Sequence, residues 1–94
     1  ENSSFSPTVC AERTAVFKAV SEGKRDFTAI AIAGAPEDAQ PPFSPCPPCG
    51  VCRQVLSEFC RQGEFEIILA ETAENYSSYK LNELLPLGFG AHNL

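Results

Sequence analysis

Residues 46–62, CPPCGVCRQVLSEFCRQ, lead from a proline-rich segment into a predicted helix over residues 50–62. The apolar side chains recur at helical spacing and predict one core-facing side, made of Val51, Val55, Leu56, Phe59 and Cys60. Gly63 is expected to end the helix, and two overlapping Cys-x-x-Cys pairs stand at its start. Because a helix N-terminus stabilises thiolates, this stretch predicts a thiol site as well as a core element.

The segments before this stretch predict a helix, a strand and a loop. Residues 8–22, TVCAERTAVFKAVSE, have helical spacing, with Thr8 as the expected cap and Gly23 as the expected stop. Residues 27–34, FTAIAIAG, alternate in the manner of a strand that is buried on at least one face. Residues 35–48 are rich in proline, which excludes regular structure there.

The segments after it complete the predicted fold. Residues 64–70, EFEIILA, predict a second strand, residues 71–79 are polar and turn-like, and residues 81–85 predict a short helical turn ended by Pro86. Strand, crossover helix and strand in succession favour a parallel pair with a right-handed connection. We therefore expect one α/β domain over residues 1–94, with helices packed on a small sheet.

The length and net charge of the chain argue against some classes of function. The chain has 94 residues and a formal net charge of −5, from 7 basic and 12 acidic residues. An acidic chain is a poor partner for a nucleic-acid polymer, whose phosphates dominate binding, but it can take a small neutral ligand. No apolar run approaches the ~18 residues that span a bilayer. A domain this small also tends to need a metal or an oligomer for stability.

The cysteines predict a metal site between two helix starts. Cys10 opens the first predicted helix, and Cys49 and Cys52 open the second. Three thiolates fill three corners of a zinc tetrahedron and leave the fourth for water, which is the catalytic arrangement. Glu12 follows Cys10 by two residues and can face the open corner as a general acid and base without ligating.

Other interpretations of the cysteines stay open at this point. A Cys-x-x-Cys pair is also found in disulfides and in thioredoxin-like redox sites, although an odd total of five cysteines leaves one unpaired. A structural zinc module is a further alternative. Cys60 is expected to be a small buried hydrophobe, and His92, the single histidine, is expected at the surface.

The chain resembles the zinc-dependent cytidine deaminases, in particular the small homotetrameric ones, over nearly its whole length. The resemblance rests on CAERTA at residues 10–15, KAVSEG at residues 18–23, PCGVCRQ at residues 48–54 and ELLP at residues 83–86. A three-cysteine zinc site with a non-ligating glutamate is part of the same signature. Blasticidin-S deaminase shares this framework and remains an alternative.

The resemblance implies a fold, a cofactor and a reaction. The fold is a three-layer α/β/α sandwich of the cytidine deaminase type, and the cofactor is Zn²⁺ held by Cys10, Cys49 and Cys52. The reaction is hydrolysis of cytidine and deoxycytidine to uridine and deoxyuridine, with ammonia released, in pyrimidine salvage. Glu12 protonates N3 of the base and then passes a second proton to the departing amine. The expected assembly is a homotetramer, and free thiols fit a reducing cytoplasm.

Further site residues follow from the resemblance alone. Arg13 matches an arginine that hydrogen-bonds the ligand thiolates, and Glu1 matches an acid that binds the ribose hydroxyls. The backbone N–H of Ala11 is expected to reach O2 of the base. Phe89 matches an aromatic residue that reaches the pyrimidine pocket of a neighbouring subunit, and Phe5 matches an aromatic position near the site and the subunit contacts.

Two departures from the family pattern motivate a competing hypothesis. The family begins with a helix and two strands that this sequence lacks, so a truncated and inactive zinc-binding chain is the alternative. The second departure is Ser44-Pro45-Cys46, which places an extra thiol before the pair at residues 49 and 52. The Cys-Arg-Gln sequence fixes the register on Cys49 and Cys52. Pro47 stands where the family has Ser or Thr, with a carbonyl available to accept from the substrate amine.

Overall fold

The computed structural model describes Ser3, Ser4 and residues 6–94, so the expectations for Glu1 and Phe5 lie outside the described residues. Its elements, in chain order, are α1 (Ala11–Ser21), β1 (Ala29–Ile32), α2 (Gly50–Phe59), β2 (Glu66–Ala70), β3 (Tyr76–Lys80) and α3 (Leu81–Leu84), followed by a 3₁₀ turn (Ala91–Asn93). No helix within the described ranges is long and apolar enough to cross a membrane.

The three strands form one mixed sheet in the order β1-β2-β3. Strands β1 and β2 are parallel, with Ile30 beside Ile67 and Ile32 beside Leu69, and α2 lies in the crossover between them. This confirms the parallel pair predicted from the element order. Strand β3 runs antiparallel to β2 and forms the other edge.

Both long helices cover the same face of the sheet. Val16 of α1 and Leu56 of α2 belong to one buried cluster with side chains of the sheet and of the residues beside it: Ile32, Ile67 and Leu69 of the strands, Phe65 just before β2, and Leu81 of α3. Ala29 and Ala31 of β1 alternate with these buried positions and are exposed. The α/β class is confirmed, and the described elements supply the sheet and one helical layer of the sandwich.

Helix boundaries differ from the sequence prediction by one to three residues. Helix α1 begins at Ala11 with Cys10 as its N-cap, so the assignment of Thr8 as the cap was wrong. Gly23 does stop this helix, with a φ of 90° that glycine adopts without strain. Helix α2 ends at Phe59 because Cys60 is extended, with φ −126° and ψ 151°.

One residue of the predicted core-facing side of α2 is exposed. Val51 was expected in the core but is 56% exposed.

Strand β3 was missed, because residues 71–79 were expected to be a turn. Only the first part of that segment turns: the Thr72 hydroxyl accepts the N–H groups of Glu74 and Asn75 at 3.2 and 2.9 Å. Residues 76–80 then pair with β2. This strand is an exposed edge of polar sequence, so it lacks the apolar alternation by which the other strands were predicted.

Candidate metal centre

The three predicted ligands lie together in the structure. The Sγ atoms of Cys10, Cys49 and Cys52 are all within 4.8 Å of one another. The Cys10–Cys49 separation is 3.8 Å and the Cys49–Cys52 separation is 3.5 Å. Tetrahedral zinc with Zn–S bonds of about 2.3 Å requires sulfur atoms about 3.8 Å apart. The donor chemistry and the spacing of this cluster both fit zinc.

Two helix N-termini bring these thiols together. Cys10 is the N-cap of α1, Cys49 is the N-cap of α2, and Cys52 lies in the first turn of α2. The two helices pack against each other on the sheet. The first N–H groups of a helix have no intrahelical partner and favour negative charge nearby. The cluster is therefore held where two positive helix ends converge.

The thiols of Cys49 and Cys52 differ sharply in environment. The exposed Cys49 thiol has its pKa lowered to about 7, chiefly because the backbone N–H of Cys52 donates to it. Burial raises the pKa of the Cys52 thiol to about 12. A bound divalent cation deprotonates a coordinating thiol outright, so metal binding at this cluster releases protons and strengthens as the pH rises.

Arg13 supplies positive charge beside the cluster. Its Nη2 donates to Cys10 Sγ at 3.6 Å, and this hydrogen bond, together with one to Cys52, raises the pKa of the guanidinium. Three thiolates and Zn²⁺ sum to one negative charge, which a neighbouring guanidinium offsets. The geometry suits the thiolate-stabilising role that the resemblance implies for Arg13.

Glu12 lines a cleft that opens beside α1. The cleft has a volume of about 370 Å³, and its walls come from the start of α1, the carboxyl end of β1 and the loop that precedes α2: Ala11, Glu12, Ala15, Ile30, Ala31, Ile32, Ala33, Gly34 and Cys46. Glu12 is half-buried and is separated from the ligand Cys10 by one residue. A carboxylate is thus placed at the wall of a cavity and two residues after a member of the thiol cluster in the sequence.

The remaining predicted residues fall elsewhere. Among the described residues, the walls of the cleft do not include Phe89, which is 57% exposed and whose carbonyl accepts from Gln54 Nε2 at 2.8 Å. His92 is exposed, as expected. Cys60 was expected to be buried on α2, but it follows the end of that helix and is half-buried against the core, and burial raises the pKa of its thiol to about 11.

Sequence reasoning missed the contacts of Arg53. Its side chain bridges two backbone carbonyls, those of Pro48 and Leu84, at 2.8 and 2.6 Å. The only signal in the sequence was a cation directly after the ligand Cys52, on a helix face that packs inward.

Cys46 lies outside the cluster and packs on Gly34. Its Sγ lies 2.8 Å from the point where a Cβ at Gly34 would stand, so the thiol occupies space that only a glycine leaves free. We expect Cys46→Ser to retain one zinc per chain in elemental analysis of the purified protein. Loss of zinc in this variant would show that Cys46 contributes to the zinc site, contrary to the proposed assignment of the ligands.

Comparison with known proteins places the cluster in a characterised region. The family model of the cytidine and deoxycytidylate deaminase zinc-binding region matches residues 1–66. The chain is 43% identical over 94 residues to a cytidine deaminase of Halalkalibacterium halodurans and 44% identical over 94 residues to one of Sporosarcina psychrophila. Both alignments cover 100% of this chain.

A solved structure agrees with these matches. The crystal structure of a cytidine deaminase from Burkholderia pseudomallei superposes with a TM-score of 0.76, at 36% identity and over 95% of this chain. The chain spans 66% and 64% of the lengths of the two relatives and 66% of the crystallised chain.

Proposed function

The chain belongs to the cytidine and deoxycytidylate deaminase family, and from that premise we propose that it hydrolyses cytidine and deoxycytidine to uridine and deoxyuridine, with release of ammonia. The observation that carries the proposal is the position of Glu12, which lines a cleft and follows Cys10, a member of the three-cysteine cluster, by two residues in the sequence. We assign this activity to one domain over residues 1–94.

Cys10, Cys49 and Cys52 would hold Zn²⁺ through their sulfur atoms. When bound, zinc acts as a Lewis acid that makes a water molecule nucleophilic at neutral pH. A set of three protein ligands is the arrangement of catalytic rather than structural zinc sites, which use four. The cluster contains three cysteines, and this count supports a catalytic site.

Glu12 carries the proton transfers in this proposal. Its carboxylate takes a proton from the attacking water and delivers it to N3 of the cytosine ring, while the oxygen adds to C4. It then passes the remaining proton of that oxygen to the amino group, and ammonia leaves as the C4 carbonyl forms. The half-buried position at the cleft wall supports this role, because a carboxylate must lie within reach of the atoms it serves.

The start of α1 offers a group for orienting the base. The backbone N–H of Ala11 is one of the first four of the helix and has no intrahelical partner, and Ala11 lines the cleft. We assign this N–H to the O2 carbonyl of the pyrimidine. Arg13 offsets the net negative charge of a three-thiolate zinc site, which preserves the acidity of the metal.

The nucleoside specificity and the assembly extend the same proposal. Glu1 would bind the ribose hydroxyls, and the exposed Phe89 would reach the pyrimidine pocket of a neighbouring subunit in a homotetramer. Several large apolar side chains are exposed and would be covered in such an assembly: Val9, Val51, Leu87, Phe89 and Leu94. Free cysteines suit the reducing cytoplasm and a role in pyrimidine salvage.

The test is turnover by the purified, zinc-loaded chain. Cytidine, deoxycytidine and blasticidin S are supplied in parallel, and ultraviolet absorbance and released ammonia are followed. We expect equal amounts of ammonia and uridine or deoxyuridine, with little reaction of blasticidin S. Preferential deamination of blasticidin S would replace the proposed substrate class. A folded chain that binds zinc but shows no turnover would contradict the proposed activity and support the alternative of an inactive zinc-binding protein.

A further inference from the structure

Arg53 holds both carbonyls that flank the Cα of Cys49. Its Nε donates to the carbonyl of Pro48 at 2.8 Å, and its backbone N–H donates to the carbonyl of Cys49 at 3.0 Å. Arg53 thus forms hydrogen bonds with the peptide groups on both sides of Cys49. The guanidinium contact is charge-assisted and stronger than an ordinary amide hydrogen bond.

Cys49 is the member of the cluster that most needs such support. Cys52 is fully buried in α2, whereas Cys49 is exposed and follows a loop rich in proline. The exposed Cys49 side chain has little surrounding core to fix its direction, so the backbone on either side of it contributes to its position. Pro48 has no N–H to donate, so its fully buried ring and its carbonyl are the groups through which the loop is held.

The other end of the Arg53 side chain is fixed to a separate element. Nη1 donates to the carbonyl of Leu84 at 2.6 Å, at the end of α3. Helix α3 is itself anchored in the core by Leu81, which is fully buried. The last carbonyls of a helix lack intrahelical partners, so this contact also satisfies a group at the end of α3. Arg53 therefore ties the loop before Cys49 to the core by hydrogen bonds, in addition to the packing of the buried Pro48 ring.

We propose that Arg53 is a positioning residue for the metal centre: it holds Cys49 in its ligating position by linking the Pro48 carbonyl to the Leu84 carbonyl. This inference rests on the proposed zinc centre. Its consequence is a slow release of the metal, because partners outside the ligand set commonly change metal affinity or activity by about 10–100-fold.

The experiment measures zinc release to a competing chelator from the full chain and its variants. We expect Arg53→Met to release zinc about 10–100-fold faster than the unaltered chain. Arg53→Lys should lie between the two, because an ammonium is a single point of charge and lacks the fork that reaches two carbonyls. The matched control is Arg61→Met. This arginine has a side chain that is 82% exposed, and it forms a surface ion pair with Glu64 at 3.5 Å. The control variant should release zinc at the unaltered rate.

A second readout separates positioning from general stability. Each variant is loaded with Co²⁺, and its sulfur-to-metal charge-transfer and d–d absorption bands are compared, beside the unfolding free energy of the metal-free chain. We expect Arg53→Met to shift the bands while the folded fraction stays the same. Unchanged bands and unchanged release from folded Arg53→Met would overturn the proposal, as would faster release fully explained by unfolding. An unaltered chain that binds neither metal would overturn the metal centre itself, and this inference with it.

Discussion

Cys49→Ser is expected to lower the affinity of the chain for zinc by about 10²–10³-fold. Zinc sites built from cysteine and histidine yield ~10–16 kcal/mol of binding free energy, and one ligand of four accounts for about a quarter of that. A serine hydroxyl stays protonated at neutral pH and is a poor zinc ligand, whereas the pKa of the Cys49 thiol is already lowered to about 7. Competition with a coloured chelator measures the change.

The matched control for this variant is Cys46→Ser, the same atomic change three residues earlier. Cys46 packs on Gly34 and lies outside the cluster, so its loss should leave the zinc affinity as it is. The reverse pattern, with zinc retained in Cys49→Ser and lost in Cys46→Ser, would show that the pair Cys49 and Cys52 is the wrong assignment.

Glu12→Gln is expected to keep one zinc per chain and to lower kcat for cytidine by about 10²–10⁴-fold, the range for loss of a general acid and base. The amide has the shape of the carboxylate but neither takes up nor delivers a proton at neutral pH. The zinc content should stay constant because Glu12 is not a member of the thiol cluster. Steady-state kinetics and elemental analysis of the same preparation measure both quantities.

Glu22→Gln is the control for the change of charge. Glu22 is exposed at the opposite end of α1, so this variant loses the same negative charge far from the cleft. Its kcat should match that of the unaltered chain. Turnover by Glu12→Gln at the unaltered rate would remove Glu12 from the reaction, and loss of zinc would make it a ligand or a structural partner.

Local patterns were sufficient to predict most of the fold. Helices α1 and α2 and strands β1 and β2 have the apolar spacing of their class, and the parallel pairing follows from the handedness rule for crossovers. Strand β3 was missed because its pairing with β2 is a tertiary contact. Its sequence, YSSYK, is polar and exposed, and two tyrosines were the only strand signal that it carried.

The same distinction between local sequence patterns and tertiary contacts applies to the residues of the candidate site. Cys10, Cys49 and Cys52 were predictable because their chemistry depends on spacing along the chain and on position at a helix start. The role of Arg53 was not, because its partners stand 5 and 31 residues away and are backbone carbonyls, which leave no mark in a sequence. The register of Cys-Arg-Gln was sufficient to predict Cys46 as an extra thiol, whereas its contact with Gly34 across the loop was not visible in the sequence.

X-ray absorption at the zinc K edge tests the central claim most directly. A centre held by Cys10, Cys49 and Cys52 alone should show three sulfur atoms at about 2.3 Å and one lighter atom at about 2.0 Å. That result would leave one coordination position open for the water that the proposed reaction requires. Four sulfur atoms around the metal would contradict the account, because a closed four-cysteine site is structural and would require Cys46 or Cys60 as the fourth ligand.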